Sequence, residues 1–354
     1  MKLTLAQNIW LKRYAVFTAA VTFVLVCIGG LVTSHEAGMS VPDWPTSCGY
    51  NMFFFPISKW IGGIFFEHLH RLLASGVGLL TTILALWLLI SQSVPKWLRV
   101  LGVVAFFGVV GQGVLGGLRV VLKKDVLGVP HATFAQLFLL LMCAIALTQT
   151  NFWRNLAIHS GTDTHRFRPL FIFTTVLVLG QLMLGATMRH QHAGLSIPDF
   201  PLAYGKIWPA TDAQSVLRYN QHRMEVIGYN PITAFQVELQ MAHRLMALVV
   251  FTVVGICAWR SRRYLGADHW LARFSLFWFG LVLAQAFLGA ATIWTDKSAD
   301  IATAHVACGA LCLVTGGLSS MIACRILAIP AAQPDAAVKN ELATLVPSSS
   351  ISGK

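Results

Sequence analysis

Four histidines occupy matching places in the two halves of this 354-residue chain. His70 and His131 are 61 residues apart, and His243 and His305 are 62 residues apart. Each of the four stands at the start of an apolar segment, so the two pairs look like two copies of one device. Imidazole is the commonest metal ligand among protein side chains. The spacing therefore indicates a duplicated metal site.

The segments that carry these histidines belong to a membrane protein. Hydrophobic residues make up 56% of the chain, charged residues 11%, and the mean hydropathy is +0.66. Eight apolar stretches are long enough to cross a hydrocarbon core of about 30 Å. They cover roughly residues 14–33, 68–90, 98–118, 130–149, 169–188, 241–259, 273–294 and 301–324. We predict an all-α fold with eight transmembrane helices arranged as two tandem, pseudo-symmetric four-helix bundles.

An internal repeat supports the division into halves. Residues 37–45 read AGMSVPDWP and residues 193–201 read AGLSIPDFP, an offset of 156. The offset is 173 between His70 and His243, so the second outer loop holds 17 extra residues. Four spans in each half give both halves the same orientation. The predicted domains are an N-terminal bundle (1–160), a C-terminal bundle (161–328) and a disordered cytoplasmic tail (329–354).

Three of the spans share a run of small residues. The third and seventh match as GQGVLGGLRV and AQAFLGAATI, and the fifth carries the related QLMLGAT. Small residues at this spacing let helix backbones approach closely. We interpret these glycines as packing residues.

The distribution of basic residues predicts the orientation. The N-terminus, the tail and the loops after spans two, four and six hold 15 of the 26 Lys and Arg residues, so that face should be cytoplasmic. Basic loops against an anionic leaflet explain the net charge of +12 without nucleic acid. The even-numbered spans then run inward, and all four histidines lie near the extracytoplasmic surface.

Two imidazoles from opposing helices commonly hold a heme iron axially. We therefore expect His70 to face His131 and His243 to face His305, each pair around one heme. A copper or zinc site is the alternative, and it would need all four histidines to converge on one ion. Arg71 and Arg244 directly follow their histidines and are candidates to pair with heme propionates, or else they reach to the membrane interface.

One position differs between the halves. Glu67 precedes His70 by three residues, whereas Gln240 precedes His243 by three. Residues three apart share a helix face, so Glu67 should look toward the same site as His70. We infer that the first half carries out chemistry and the second holds an electron-transfer heme. The alternative is that Glu67 pairs with Arg71 and caps the helix.

The duplicated four-helix halves, the EHLHR stretch at residues 67–71 and the three later histidines together resemble the heme A synthase family. The resemblance covers about residues 12–325. It implies oxidation of the C8 methyl group of heme O to a formyl group, by successive hydroxylation and loss of water, which gives heme A for terminal oxidases. A diheme b-type cytochrome between quinone and a partner protein, or a heme carrier, remains an alternative that needs no difference between Glu67 and Gln240.

The resemblance also implies the role of each site residue. Glu67 would be the catalytic carboxylate, His70 and His131 the axial ligands of the heme O substrate, and His243 and His305 the ligands of a heme b cofactor.

The same likeness implies a setting for the protein. Some members carry paired cysteines in the outer loops, whereas here those loops contain only Cys48. That pattern resembles the proteobacterial and mitochondrial branch and implies a bacterial inner membrane with both termini cytoplasmic. A heme O synthase, oxidase assembly factors and membrane lipid are the implied partners. The oligomeric state is left open, a homo-oligomer included.

Overall fold

The computed structural model describes residues 9–156 and 167–326. Eight of its helices are long and apolar enough to cross a membrane, which confirms the predicted all-helical class and the eight spans. They are α1 (Ile9–Ser34), α2 (Gly63–Ile90), α3 (Lys96–Val121), α4 (Gly128–Thr148), α6 (Phe167–His190), α8 (Ala234–Leu265), α9 (Trp270–Trp294) and α10 (Ala299–Ile326). Two short helices, α5 (Asn151–Arg154) and α7 (Ala213–His222), lie between them. The tail predicted at 329–354 lies outside the described residues.

Packing groups the long helices into two rings of four. In the first half, α1 and α3 each contact α2 and α4, and in the second half α6 and α9 each contact α8 and α10. The halves meet where α1 and α4 contact α10, and where α4 contacts α6. Each ring encloses an apolar cluster, centred on Trp278 in the second half and on residues such as Met142 in the first.

Polar contacts join the halves near the ends of α1 and α6. Arg189 donates to the Gly30 carbonyl oxygen at 2.8 Å and to Ser34 Oγ at 2.6 Å. Ser34 Oγ in turn lies 3.1 Å from Thr303 Oγ1 on α10. The guanidinium of Arg189 therefore links α6 to the C-terminal end of α1.

The helices that carry His70 and His243 begin earlier in the chain than hydropathy suggested. His243 is the tenth residue of α8 and His70 is the eighth residue of α2, so neither opens its helix. The added turns hold polar residues that weaken the apolar signal without breaking the helix. In α8 a capping box fixes the start, because Thr233 accepts from the Gln236 N–H and the Gln236 side chain accepts from the Thr233 N–H.

The extra residues of the second outer loop form α7 and one π turn (Arg223–Ile227). Arg223 is 4% exposed and donates to the Leu195 carbonyl oxygen at 2.6 Å. Tyr219 of α7 stacks on Tyr204 of the repeated loop, with ring centroids 3.7 Å apart. The insertion therefore packs onto the second repeated loop.

Candidate functional site

Each of the four histidines lies against a glycine of a neighbouring helix. A Cβ atom built on that glycine would stand 3.1 to 3.2 Å from the imidazole Cε1. The pairs are Gly29 with His70, Gly116 with His131, Gly185 with His243, and Gly289 with His305. The sequence predicted that the glycines of the third, fifth and seventh spans serve packing, and they do. Three of them, Gly116, Gly185 and Gly289, pack directly against candidate ligand histidines. The fourth, Gly29, extends the same arrangement to α1.

Glutamines contact three of the four histidines. Gln181 Nε2 lies 3.3 Å from His243 Nε2 and donates to the His243 carbonyl oxygen at 3.1 Å. Gln285 Nε2 lies 3.4 Å from His305 Nε2. With its amide in the orientation that satisfies its neighbours, Gln112 donates to His131 Nδ1 at 2.9 Å and to the His131 carbonyl oxygen at 3.3 Å. One nitrogen of each of these rings therefore faces an amide donor.

Three ring nitrogens are buried without a hydrogen bond. Nδ1 of His70, His243 and His305 has no partner among the residues that the structure describes. A buried polar nitrogen costs free energy when it is left unpaired, so native proteins rarely keep one without a purpose. The three rings themselves are half-buried. A histidine that binds a metal or another ligand does so through a ring nitrogen of this kind.

The histidines stand in two pairs rather than in one cluster. His70 and His131 are close enough to interact electrostatically, and so are His243 and His305. Within the two described ranges, no three His, Cys, Asp or Glu side chains come together in a way that could hold a metal ion. The pairwise arrangement fits a heme between each pair better than one copper or zinc ion bound by all four.

Glu67 is buried and both of its oxygens accept hydrogen bonds. The carboxylate is 4% exposed, and it accepts from the Val41 N–H at 2.8 Å and from Arg71 Nη2 at 2.8 Å. Arg71 also donates to the carbonyl oxygens of Val41, Asp43 and Thr46. The ion pair considered from the sequence is thus present, and it fastens the first repeated loop, residues 37–50, onto α2.

Gln240 fastens the second repeated loop, residues 193–206, without an ion pair. Its Oε1 accepts from Ser196 Oγ and from the Ile197 N–H, both at 2.7 Å. Arg244 donates to the carbonyl oxygens of Asp199 at 2.7 Å and Leu202 at 2.9 Å. Both arginines therefore bond to loop carbonyls, and their pairing with propionates stays a prediction.

The two loops also share one set of internal hydrogen bonds, which an aspartate accepts from backbone N–H groups. Asp43 accepts from the N–H groups of Cys48 and Gly49, and Asp199 accepts in the same way from Tyr204 and Gly205. Gly49 and Gly205 have φ of 80° and 72°, a conformation that favours glycine.

The hydrogen bonds within the first loop favour the charged form of Asp43. Burial alone would raise the pKa of Asp43, but hydrogen bonds from Thr46, Gly49 and Cys48 outweigh it and hold that pKa below its usual value. Cys48 stands where the second loop has Tyr204 and donates its N–H to Asp43, so this residue serves as part of the turn.

Two further histidines, His68 and His35, have structural partners. His68 is 1% exposed, lies 3.2 Å from Ser47 Oγ and packs on Phe55 and Trp60. His35 stacks on Phe66 with ring centroids 4.1 Å apart. Their lack of a repeated counterpart was the signal that set them apart from the four candidate ligands.

Sequence reasoning missed two arginines. Arg119 interacts electrostatically with both His70 and His131, and Arg189 does so with His305. Arg119 also donates to Asp125 Oδ1 at 2.6 Å, and His190 Nδ1 lies 3.2 Å from the same oxygen. Neither arginine has a basic counterpart in the other half, so the repeat gave no signal for them.

Filling one of the glycine notches should disturb its imidazole. We expect Gly289→Ala to push the His305 ring by a few tenths of an ångström and to lower the affinity of that pair for added heme by about tenfold. Gly280→Ala on the same helix is the matched control, because a Cβ there meets nothing within 4 Å. The measurement is a spectroscopic heme titration of both purified variants, and equal affinities would contradict the expectation.

Most of the chain is similar to proteins of one known family. A family model described as cytochrome oxidase assembly protein (COX15-CtaA) matches residues 50–316, a range that includes all four histidines and Glu67. A heme A synthase of Shewanella oneidensis is 26% identical, over 87% of this chain and 94% of the relative. A heme A synthase of Chelativorans sp. is 28% identical over 85% of this chain and 87% of the relative. One from Geobacillus kaustophilus is 26% identical, with 81% and 83% covered.

Proposed function

The chain belongs to the cytochrome oxidase assembly protein family, and from that membership we propose that it is a heme A synthase that oxidises the C8 methyl group of heme O to a formyl group. The names of the relatives support the activity. The observation that carries the proposal is the pair of matched histidine sites, each ring set against a glycine and three of them with an unpaired buried nitrogen.

The two pairs take different roles in this proposal. His70 and His131 hold heme O as substrate, and His243 and His305 hold a resident heme b that passes electrons. A heme between two imidazoles supplies one-electron redox chemistry at its iron. The difference between Glu67 and Gln240 at matching positions supports the assignment, because two equivalent electron-transfer sites would not need a carboxylate in only one of them.

Glu67 would act as the proton acceptor of the first site. Conversion of a methyl to a formyl group removes hydrogen from the reacting carbon, and a base near that carbon would take up protons that the reaction releases. Arg71 and the Val41 N–H each donate a hydrogen bond to the carboxylate and fix its orientation. Glu67 lies one turn outward from His70 on the same face of α2, where a proton can pass on to the outer surface.

The setting follows from the orientation of the helices. We place the protein in a bacterial inner membrane with both termini cytoplasmic and the two histidine pairs near the extracytoplasmic side. A heme O synthase would supply the substrate, and oxidase assembly factors would receive the product.

Pigment analysis tests the proposed function. The full chain would be purified from cells that make heme O, and its pigments extracted and weighed by mass spectrometry. We expect heme b together with heme O, an oxidised intermediate or heme A. Heme b alone in both pairs would contradict the synthase and support a diheme electron-transfer protein.

A further inference from the structure

Two arginines stand one helical turn further out than a glycine that faces an imidazole. Arg189 follows Gly185 by four residues in α6, and Arg119 follows Gly116 by three residues in α3. Residues three or four apart share a helix face, so each arginine starts from the face that meets a histidine. Each is also in electrostatic contact with a histidine of its own half.

The matching positions of the repeat hold threonines. The offset of 156 aligns Arg189 with Thr33, and the offset of 173 aligns Arg119 with Thr292. Each threonine hydroxyl donates to a carbonyl oxygen of the preceding turn of its own helix, at 3.1 Å from Thr33 and 2.9 Å from Thr292. Each half therefore has one arginine and one threonine at these places, and so one positive charge beside its histidine pair.

The charge of Arg189 lacks a counter-ion among the described residues. Its Nη2 donates to two neutral acceptors, the Gly30 carbonyl oxygen and Ser34 Oγ, and its Nε is buried without a hydrogen bond. Within the described ranges it forms no ion pair with a carboxylate. A charge inside a membrane protein is costly unless an opposite charge compensates it. A bound anion would supply that compensation.

Arg119 has one nitrogen that its ion pair does not use. Nε and Nη2 both donate to Asp125 Oδ1, at 3.2 Å and 2.6 Å, whereas Nη1 donates to none of the described residues. The side chain is only 13% exposed, and a Cβ built on Gly38 would stand 2.8 Å from Nη1. Since Arg119 interacts electrostatically with both His70 and His131, its charge lies beside the first pair.

We propose that Arg119 and Arg189 each bind a carboxylate of the heme in their own half. The inference rests on the proposed function and deepens it, because it names the anion-binding residue of each site. A heme carries its two carboxylates on one edge, and a guanidinium has the paired N–H donors that match a carboxylate. Arg71 and Arg244 also lie near the pairs, but their guanidinium groups already hold the outer loops.

Replacing the carboxylates by esters tests the inference without reference to activity. Ferric heme b and its dimethyl ester share the iron and the ring and differ in the charge of that edge. Each would be titrated spectroscopically into two full-length parent chains, His305→Ala, in which the first pair is intact, and His131→Ala, in which the second is. We expect both parents to bind heme about tenfold more tightly than the ester. Arg119→Gln in the first parent and Arg189→Gln in the second should remove that preference.

Two further variants separate carboxylate recognition from a structural role. Arg218→Gln removes an exposed positive charge from α7 and should leave the preference unchanged in both parents. Arg189→Lys keeps the charge without the paired donors and should retain part of the preference. If Arg189→Gln weakens the binding of heme and of the ester equally, this arginine only joins the helices and the inference is overturned for it.

The remaining outcomes are distinguishable. A preference for heme that disappears in Arg119→Gln and in Arg189→Gln supports the inference. A preference that is absent from the parents, or that survives these substitutions and is lost in Arg71→Gln or Arg244→Gln, overturns it while the proposed function stands. Parent chains that bind neither heme nor its ester contradict the proposed function instead.

Discussion

Glu67→Gln is expected to lower the rate of heme O oxidation by at least about a hundredfold while the chain stays folded. The amide keeps an acceptor for the Val41 N–H, just as the side chain of Gln240 accepts from the Ile197 N–H in the second half. It cannot take a proton from the substrate. Cells that express the variant should accumulate heme O or a partly oxidised intermediate, measured by mass analysis of the extracted pigments.

Glu67→Ala is the comparison that separates chemistry from structure. It leaves the buried guanidinium of Arg71 without its carboxylate and the Val41 N–H without an acceptor. We expect the free energy of unfolding to fall by about 3 kcal/mol, the lower end for a broken buried pair, because Arg71 keeps its loop carbonyls. Thermal unfolding in detergent would detect this loss. If a Glu67→Gln variant oxidised heme O at the wild-type rate, the carboxylate would only hold the loop in place and would take no part in the reaction.

His305→Ala and His243→Ala are each expected to remove the heme b of the second half. The loss of one imidazole leaves a single ligand in a pair whose geometry serves two, and the neighbouring glutamine has no ring to hold. Heme content per chain should fall from two to one, measured as the pyridine complex of extracted heme. The low-spin ferric signal of that site should disappear with it.

His222→Ala on the exposed face of α7 is the matched control and should keep both hemes. His131→Ala tests the pairing from the other side, because it should affect only the first site. Loss of the second heme in that variant, with the first retained, would show that the rings are paired differently.

Much of the fold was available from the sequence. Hydropathy located all eight spans because a helix in lipid must bury its backbone groups and cover itself with apolar side chains. It placed the starts of α2 and α8 too late, since Glu67 and Gln240 lower the hydropathy of turns that are nonetheless helical. The repeat singled out the four histidines, and their pairing around two hemes stays a prediction.

The contacts that those residues make could not be predicted from the sequence. Arg71 follows His70 in the chain, which suggested a role at the heme, yet its guanidinium bonds to a loop that begins some 30 residues earlier. Arg119 lies far in sequence from His70 and close to it electrostatically. Such pairs depend on how helices pack and how loops fold back, and local periodicity carries no information about either.

By itself the sequence determined the helical membrane class, the two halves, the four histidines and the contrast between Glu67 and Gln240, because each is a property of composition, spacing or repetition along the chain. Only the tertiary structure decided that each imidazole rests on a glycine and that Gln112, Gln181 and Gln285 face three of the rings. The reason is physical. The surroundings of each histidine ring come from the helix packed beside it, and contact between the helices decides which side chain reaches that ring.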